Sequence, residues 1–268
     1  MKIVRARLVT IVTVRRLQKW HGAGNDFLVD VIESGAAQWW DAERASAVCN
    51  RYTGVGADGL LLATLGLNVV DMVLYNADGS VAEMSGNGIR CLAAAVRRAT
   101  HATWTSLDVV TDAGMRAVTL LMDDDDTGDG SVAMGEVTFA PTLAGSLGVA
   151  SVGNPHVVVL DDPAWSDAAC EQRAAQLEVQ VGGANVEFVT PLGDDRVRIR
   201  VIERGVGWTL ACGTGSVATV AVCHREGLCS SDVTVENPGG PLRVQLEGER
   251  ATLSGPVQFV ANVEWLEV

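Results

Sequence analysis

The sequence predicts an α/β fold built from two pseudo-symmetric halves, and three observations carry that expectation. MSGNG at 84–88 and ACGTG at 211–215 lie 127 positions apart (211 minus 84), and each leads into an apolar run with helical spacing. Asn76 stands nine positions before Ser85 and Glu203 nine before Cys212, each at the end of a β-rich segment. Around both loops, β-formers bounded by Gly, Asn and Asp alternate with helix formers, so the second half repeats the order of the first. A chain of 268 residues is long enough for one large domain or two smaller ones.

The elements follow in order. From Leu17, LQKWHGAGNDFLVDVIE flanks a Gly/Asn/Asp turn with β-formers, predicting a strand, a tight loop and a second strand. WWDAERASAVCNRY carries helix formers after Asp41, a candidate N-cap. TGVGADGLLLA is a glycine loop before an apolar strand, and VVDMVLYNADGS is a strand ending in a turn. VAEMSGNGIRCLAAAVRRAT passes through glycines into a helix with Ile89, Leu92, Ala93 and Val96 on one face. Residues 107–122 form a hairpin turning at Asp112 to Gly114, and DDDDTGDG at 123–130 is a solvated acidic loop and the boundary candidate; it lacks the ligand spacing of an EF-hand. The second half continues with VTFA, SVGNPHVVVLDD, a helical WSDAACEQRAAQLE, GGANVEFVTP and RVRIRVIE. In RGVGWTLACGTGSVATVAVCHREG, Val217, Val220, Ala221 and His224 mark a helical face, and two β-rich segments close the chain.

With 48% hydrophobic and 20% charged residues the composition is that of a globular protein. A formal charge of −13 argues against binding nucleic acid or an anionic membrane surface. Arg5, Arg7, Arg15, Arg16 and Lys19 interleave with LVTIVTV, which is too short and interrupted for a signal or membrane helix; an extra arm followed by a strand is expected. The six cysteines form no CxxC pair and have no His at metal-ligand spacing, so free thiols in a reducing cytoplasm, and no metal, are expected. Cys49, Cys91, Cys170 and Cys223 read as small buried hydrophobes.

A Gly-x-Gly loop opening a helix leaves free backbone N–H groups and the positive end of the helix dipole, so it attracts a carboxylate. Cys212 sits where that dipole would lower its pKa toward neutrality. If Ser85 and Cys212 face each other, a substrate α-carbon between them could lose a proton on one face and gain one on the other. TGVGADG at 53–59 formally matches GxGxxG, yet an apolar strand follows it and no βαβ unit surrounds it, which argues against a dinucleotide site. Among the histidines, His156 in GNPH enters a strand where it could orient a thiolate, while His21, His101 and His224 look peripheral.

KWHGAGNDFLVD, RYTGVGADGLL, YNADGSVAEMSGNGIRC, VGNPH, GGANVEF and ERGVGWTLACGTGSVA, in this order and spacing from about Leu17 to the C-terminus, resemble the diaminopimelate epimerase family of cofactor-independent amino-acid epimerases. The resemblance implies two α/β halves, each a sheet wrapped around a central helix, with the active site in the cleft between them. The halves are expected at 1–129 plus 258–268 and at 130–257. It further implies that Cys212 is one of two catalytic bases, that Ser85 lies where the other cysteine is expected, and that His156 and Glu203 flank the bases. Asn25, Asn76, Asn154, Asn185 and Arg204 match positions that hold the substrate, and Gly86, Asn87, Gly213 and Thr214 would cradle its carboxylate. The implied enzyme is a cytoplasmic isomerase of an amino acid, with no cofactor and with a homodimer allowed.

Two departures accompany the resemblance. Ser85 puts a hydroxyl, which stays protonated without an assisting base, where a thiol is expected. Trp208 replaces a glutamate and is a candidate pocket wall. Epimerisation at the α-carbon therefore stands beside a one-base dehydration, isomerisation or cyclisation, and beside a non-catalytic paralogue that binds an amino acid or a partner.

Overall fold

The computed structural model describes residues 13–267; the expected arm bearing Arg5 and Arg7 lies outside them. Strand β1 (Thr13–Gly22) reverses through Ala23 and Gly24 into β2 (Asn25–Glu33), and both turn residues have positive φ, 51° and 81°. Such a turn matches the right-handed twist of the strands it joins. Helix α1 (Ala42–Cys49) follows, its first turn closed by the Asp41 carboxylate accepting from the Arg44 N–H. It carries the chain to β3 (Gly59–Leu65), parallel to β2. Next come β4 (Val69–Asn76), β5 (Val81–Ala82), α2 (Gly86–Thr100), β6 (Ser106–Thr111), β7 (Gly114–Met122) and β8 (Thr127–Glu136).

The second half repeats this order. It runs β9 (Thr138–Ala140), β10 (Gly148–Ser151), β11 (Pro155–Leu160), α3 (Asp167–Val181), β12 (Asn185–Gly193), β13 (Arg196–Glu203) and β14 (Gly207–Thr209). Helix α4 (Gly213–Arg225), β15 (Asp232–Asn237), β16 (Gly240–Glu247) and β17 (Arg250–Glu267) complete it.

Strand pairing closes two rings. The first runs β1, β2, β3, β4, β6, β7, β8, β17 and back to β1. The second runs β10, β11, β12, β13, β15, β16, β17 and then β8, whose continuation β9 returns to β10. Closure leaves no free edge in either ring. Helices α2 and α4 fill the two interiors: Gly86 to Val96 and Gly213 to Cys223 are buried without interruption. A helix buried on all sides must be narrow and apolar, which GTGSVATVAVC supplies with its Gly, Ala, Ser, Thr and Val.

The matching registers equate positions across the halves. Phe27 pairs with Gly59, and Gly59 with Asn76. His156 pairs with Asn185, and Val186 with Ile202, so Asn185 stands opposite Glu203 one step along. Phe27, Leu61 and Asn76 thus occupy the places of His156, Glu187 and Glu203. Two expectations change. The acidic loop is confined to 123–126, because the Asp124 carboxylate accepts from the N–H groups of Asp126 and Thr127 and turns the chain directly into β8. The seams expected after residues 129 and 257 both fall inside strands, β8 and β17, that the two barrels share.

Candidate active site

Helices α2 and α4 meet head to head. A Cβ placed on Gly213 would stand 3.3 Å from Gly86 Cα, 3.5 Å from the Asn87 nitrogen and 2.9 Å from Leu253 Cδ2. One placed on Gly86 would come within 2.5 Å of the same Leu253 atom, so a side chain at either first helical position would have to displace Leu253. Gly213→Ala should accordingly destabilise the fold by about 1–3 kcal/mol through overpacking, read as a lower denaturant midpoint; an unchanged midpoint would show that the helix ends are not in contact.

Ser85 and Cys212 are the N-caps of the two helices. Their backbones nearly coincide, φ −138° and ψ 123° against φ −124° and ψ 114°. Ser85 Oγ accepts from the Gly88 N–H at 3.0 Å, and Cys212 Sγ from the Gly215 N–H at 3.4 Å, with Thr214 Oγ1 3.5 Å away. The same device is used twice.

The surroundings of the two caps differ. Fully buried His156 holds Glu187 Oε1 at 2.7 Å through Nδ1 and Asn154 Oδ1 at 3.1 Å through Nε2. A ring nitrogen of His156, a carboxylate oxygen of Glu187 and Cys212 Sγ all lie within 4.8 Å of one another. The second oxygen of Glu187 is buried without a hydrogen-bond partner. Glu203 accepts from Thr209 Oγ1 at 2.6 Å, and burial pushes its carboxyl above the ordinary range against that bond. On the Ser85 side the equivalent positions carry Phe27, Leu61 and Asn76. Phe27 Cζ would lie 3.3 Å from a Cβ on Gly88, so an apolar ring faces the first turn of α2.

Sequence spacing suggested that the helix terminus would lower the Cys212 thiol toward neutrality. The structure reverses this: burial pushes the thiol up, the charges of Glu203 and Glu187 push it further, and the hydrogen bonds from Thr214 and Gly215 only partly offset them. Glu187 was not among the expected site residues. GGANVEF held the signal, a carboxylate flanked by Val186 and Phe188 on a buried strand, where an acid needs a partner.

The expected substrate-holding residues fall into groups. Asn87 Nδ2 donates to Asn25 Oδ1 at 3.2 Å, joining the head of α2 to the start of β2. Asn76 donates to Ser80 Oγ at 3.0 Å in the turn after β4. Asn185 Oδ1 accepts from the Arg204 N–H at 2.9 Å, which ties the end of β13 to the start of β12, while the Arg204 side chain is exposed. Trp208 departs from expectation. Its neighbour Thr209 faces Glu203, so on β14 the indole points to the opposite face. There its N–H donates to Glu171 of α3 at 2.8 Å, with Phe188 at 6.3 Å and the Arg200 guanidinium 5.5 Å over the ring.

The family model for diaminopimelate epimerase matches residues 17–140 and 148–260. The diaminopimelate epimerase of Clostridium perfringens is 32% identical over 271 residues, covering 94% of this chain and 99% of that protein. Its counterpart in Corynebacterium glutamicum is 38% identical over 265 residues, covering 91% and 95%. Among solved structures, a predicted epimerase from Pseudomonas aeruginosa superposes with a TM-score of 0.75 at 14% identity, covering 95% of this chain and all of that one, 100%.

Proposed function

The chain belongs to the diaminopimelate epimerase family of isomerases, and from that premise we propose that it moves a proton at the α-carbon of an amino acid, diaminopimelate or a close relative. The observation that carries the reading is the meeting of two helix N-termini capped by Ser85 and Cys212. The substrate carboxylate sits on the free N–H groups of Gly86, Asn87, Gly213 and Thr214, where both helix dipoles favour an anion. Asn25, Asn76, Asn154, Asn185 and Arg204 hold the remaining polar groups. Cys212 is the principal base: the His156–Glu187 pair receives its thiol proton, and the resulting thiolate takes the α-proton. Substrate binding brings an ammonium group toward Glu203 and offsets the charge that holds the thiol protonated. Ser85, whose Oγ lone pair is engaged by Gly88, keeps its hydroxyl hydrogen free for the opposite face. Transfer between side chains needs no cofactor. The reading places the enzyme in the cytoplasm, without affinity for nucleic acid, and is compatible with a homodimer.

A second reading has its own observation. Phe27 and Leu61 stand in the places of the His and Glu partners on the Ser85 side, so among the described residues nothing equivalent to the His156–Glu187 pair assists the hydroxyl. A one-base reaction, such as isomerisation or dehydration with the proton handled on the Cys212 face alone, fits that asymmetry. Incubation with L,L-diaminopimelate and other amino acids in deuterated water separates the two. Deuterium entering with inversion is expected for two-base epimerisation, deuterium with retention indicates the one-base course, and absence of incorporation into every amino acid tried would overturn the proton-transfer reading.

A further inference from the structure

Arg90, in the first turns of α2, is fully buried inside the first barrel. Among the described residues no ion pair holds it, and its Nε has no partner. A buried guanidinium with no carboxylate at ion-pair distance is costly, so its presence calls for a reason. The barrel is shaped around it: a Cβ would stand 2.9 Å from Arg90 Cδ if placed on Gly130 of β8, 3.0 Å from Nη2 on Gly255 of β17, and 3.3 Å from Nη2 on Gly22 of β1. The equivalent position in α4, five residues after the cap, is Val217, which is equally buried and polar in no part. The arginine therefore belongs to the Ser85 side alone.

Its hydrogen bonds lead into the cleft. Nη1 donates to the Gly86 carbonyl at 2.9 Å and Nη2 to Asn87 Oδ1 at 2.9 Å. Asn87 Nδ2 then donates to Asn25 Oδ1 at 3.2 Å, and Asn25 Nδ2 to Asp58 Oδ2 at 2.7 Å. Asp58 is itself held by Arg51 Nη2 at 2.7 Å. A guanidinium can only donate and a carboxylate only accept, so the two ends dictate which way both asparagine amides point. With either end removed, each amide could flip and offer an acceptor where it now offers a donor.

We propose that Arg90 is a positioning residue, which polarises the Asn87–Asn25–Asp58 relay so that both asparagines meet the substrate in one fixed amide orientation. The inference rests on the reading of Asn25 and Asn87 as substrate-holding residues. Among the described residues Arg90 hydrogen-bonds only the Gly86 carbonyl and the Asn87 side chain, so it acts through them.

Two substitutions test it. Arg90→Lys keeps the charge but replaces the two-pronged donor with a point donor. Asn87→Asp gives Arg90 a carboxylate partner, which should hold the melting temperature at or above its original value, yet removes the N–H that Asn25 accepts. In both, KM for L,L-diaminopimelate in the α-proton exchange assay should rise about tenfold with kcat changed by less than about threefold, the pattern of lost uniform binding. The Asn25 side-chain amide protons, followed by NMR in 15N-labelled protein and assigned with Asn25→Asp, should exchange with deuterated solvent about tenfold faster. Unchanged Asn25 amide exchange in Asn87→Asp overturns the proposal. So does a fall in kcat that tracks a lower melting temperature, the mark of a merely structural role. If Arg90→Lys fails to fold, Asn87→Asp decides alone. If the unaltered protein exchanges no α-proton of L,L-diaminopimelate, the functional reading fails, and the NMR arm still decides whether Arg90 orders the relay.

Discussion

Ser85→Cys is expected to raise inversion at the α-carbon by about 10²-fold, the usual range for a well-placed acid or base. The hydroxyl at 85 is a poor acid and a worse base, whereas a thiol at a helix N-terminus can serve as either. The substitution should be structurally mild. The backbone at 85 nearly matches that at 212, where a thiol already caps its helix by accepting from the residue three positions on. Loss of the better serine cap costs about 1 kcal/mol on the usual scale. Chromatographic separation of the L,L and meso isomers after incubation gives the readout. An inversion rate that does not move while deuterium continues to enter with retention would sink two-base epimerisation and leave the one-base course.

The second large effect concerns Cys212. Cys212→Ala should reduce α-proton exchange by about 10³-fold or more, since among the described residues no other thiol lies beside the His156–Glu187 pair. In the unaltered protein, iodoacetamide should modify Cys212 more slowly than free cysteine at pH 8. Burial and the charges of Glu203 and Glu187 hold the thiol protonated, and only the thiolate reacts. The sign with pH follows: the modification rate should keep climbing above the pH at which free cysteine levels off. Glu203→Gln removes one of the opposing charges and should speed the reaction, with the site of modification read by peptide mapping. Fast modification of Cys212 at pH 7 would mean that the thiolate exists before any substrate arrives, and that the helix terminus outweighs burial after all.

Much of the architecture was written in local signals. Glycine followed by an apolar helical run marked α2 and α4, Asp41 marked the start of α1, and Gly, Asn and Asp clusters marked the reversals between strands. The two N-caps were legible because the same five-residue grammar appears at both. What escaped depends on contacts between distant segments. Glu187 belongs to the site only because β11 and β12 pair in the register that sets it beside His156. The thiol of Cys212 is governed less by its own helix than by two carboxylates from β12 and β13, whose approach no spacing reveals. Trp208 turned away from the cleft because strand alternation gave that face to Thr209. The acidic run became a strand after four residues because the Asp124 carboxylate turns the chain, and Gly128 and Gly130 leave room beyond it for Met122 and Arg90.

The pairing of β1 with β17 has a consequence for how the chain folds. Thr13 stands opposite Glu267, so the first barrel closes by pairing the first described strand with the last. The same strand, through Arg250 to Ser254, also closes the second barrel against β16. Neither ring can be completed before β17 is in place: the first waits on β1 pairing with β17 across nearly the whole described chain, and the second joins β17 to its neighbour β16 and to β8. Such topology slows folding and exposes unpaired strands meanwhile. Both barrels therefore depend on β17, and a chain cut short before it loses the two halves together.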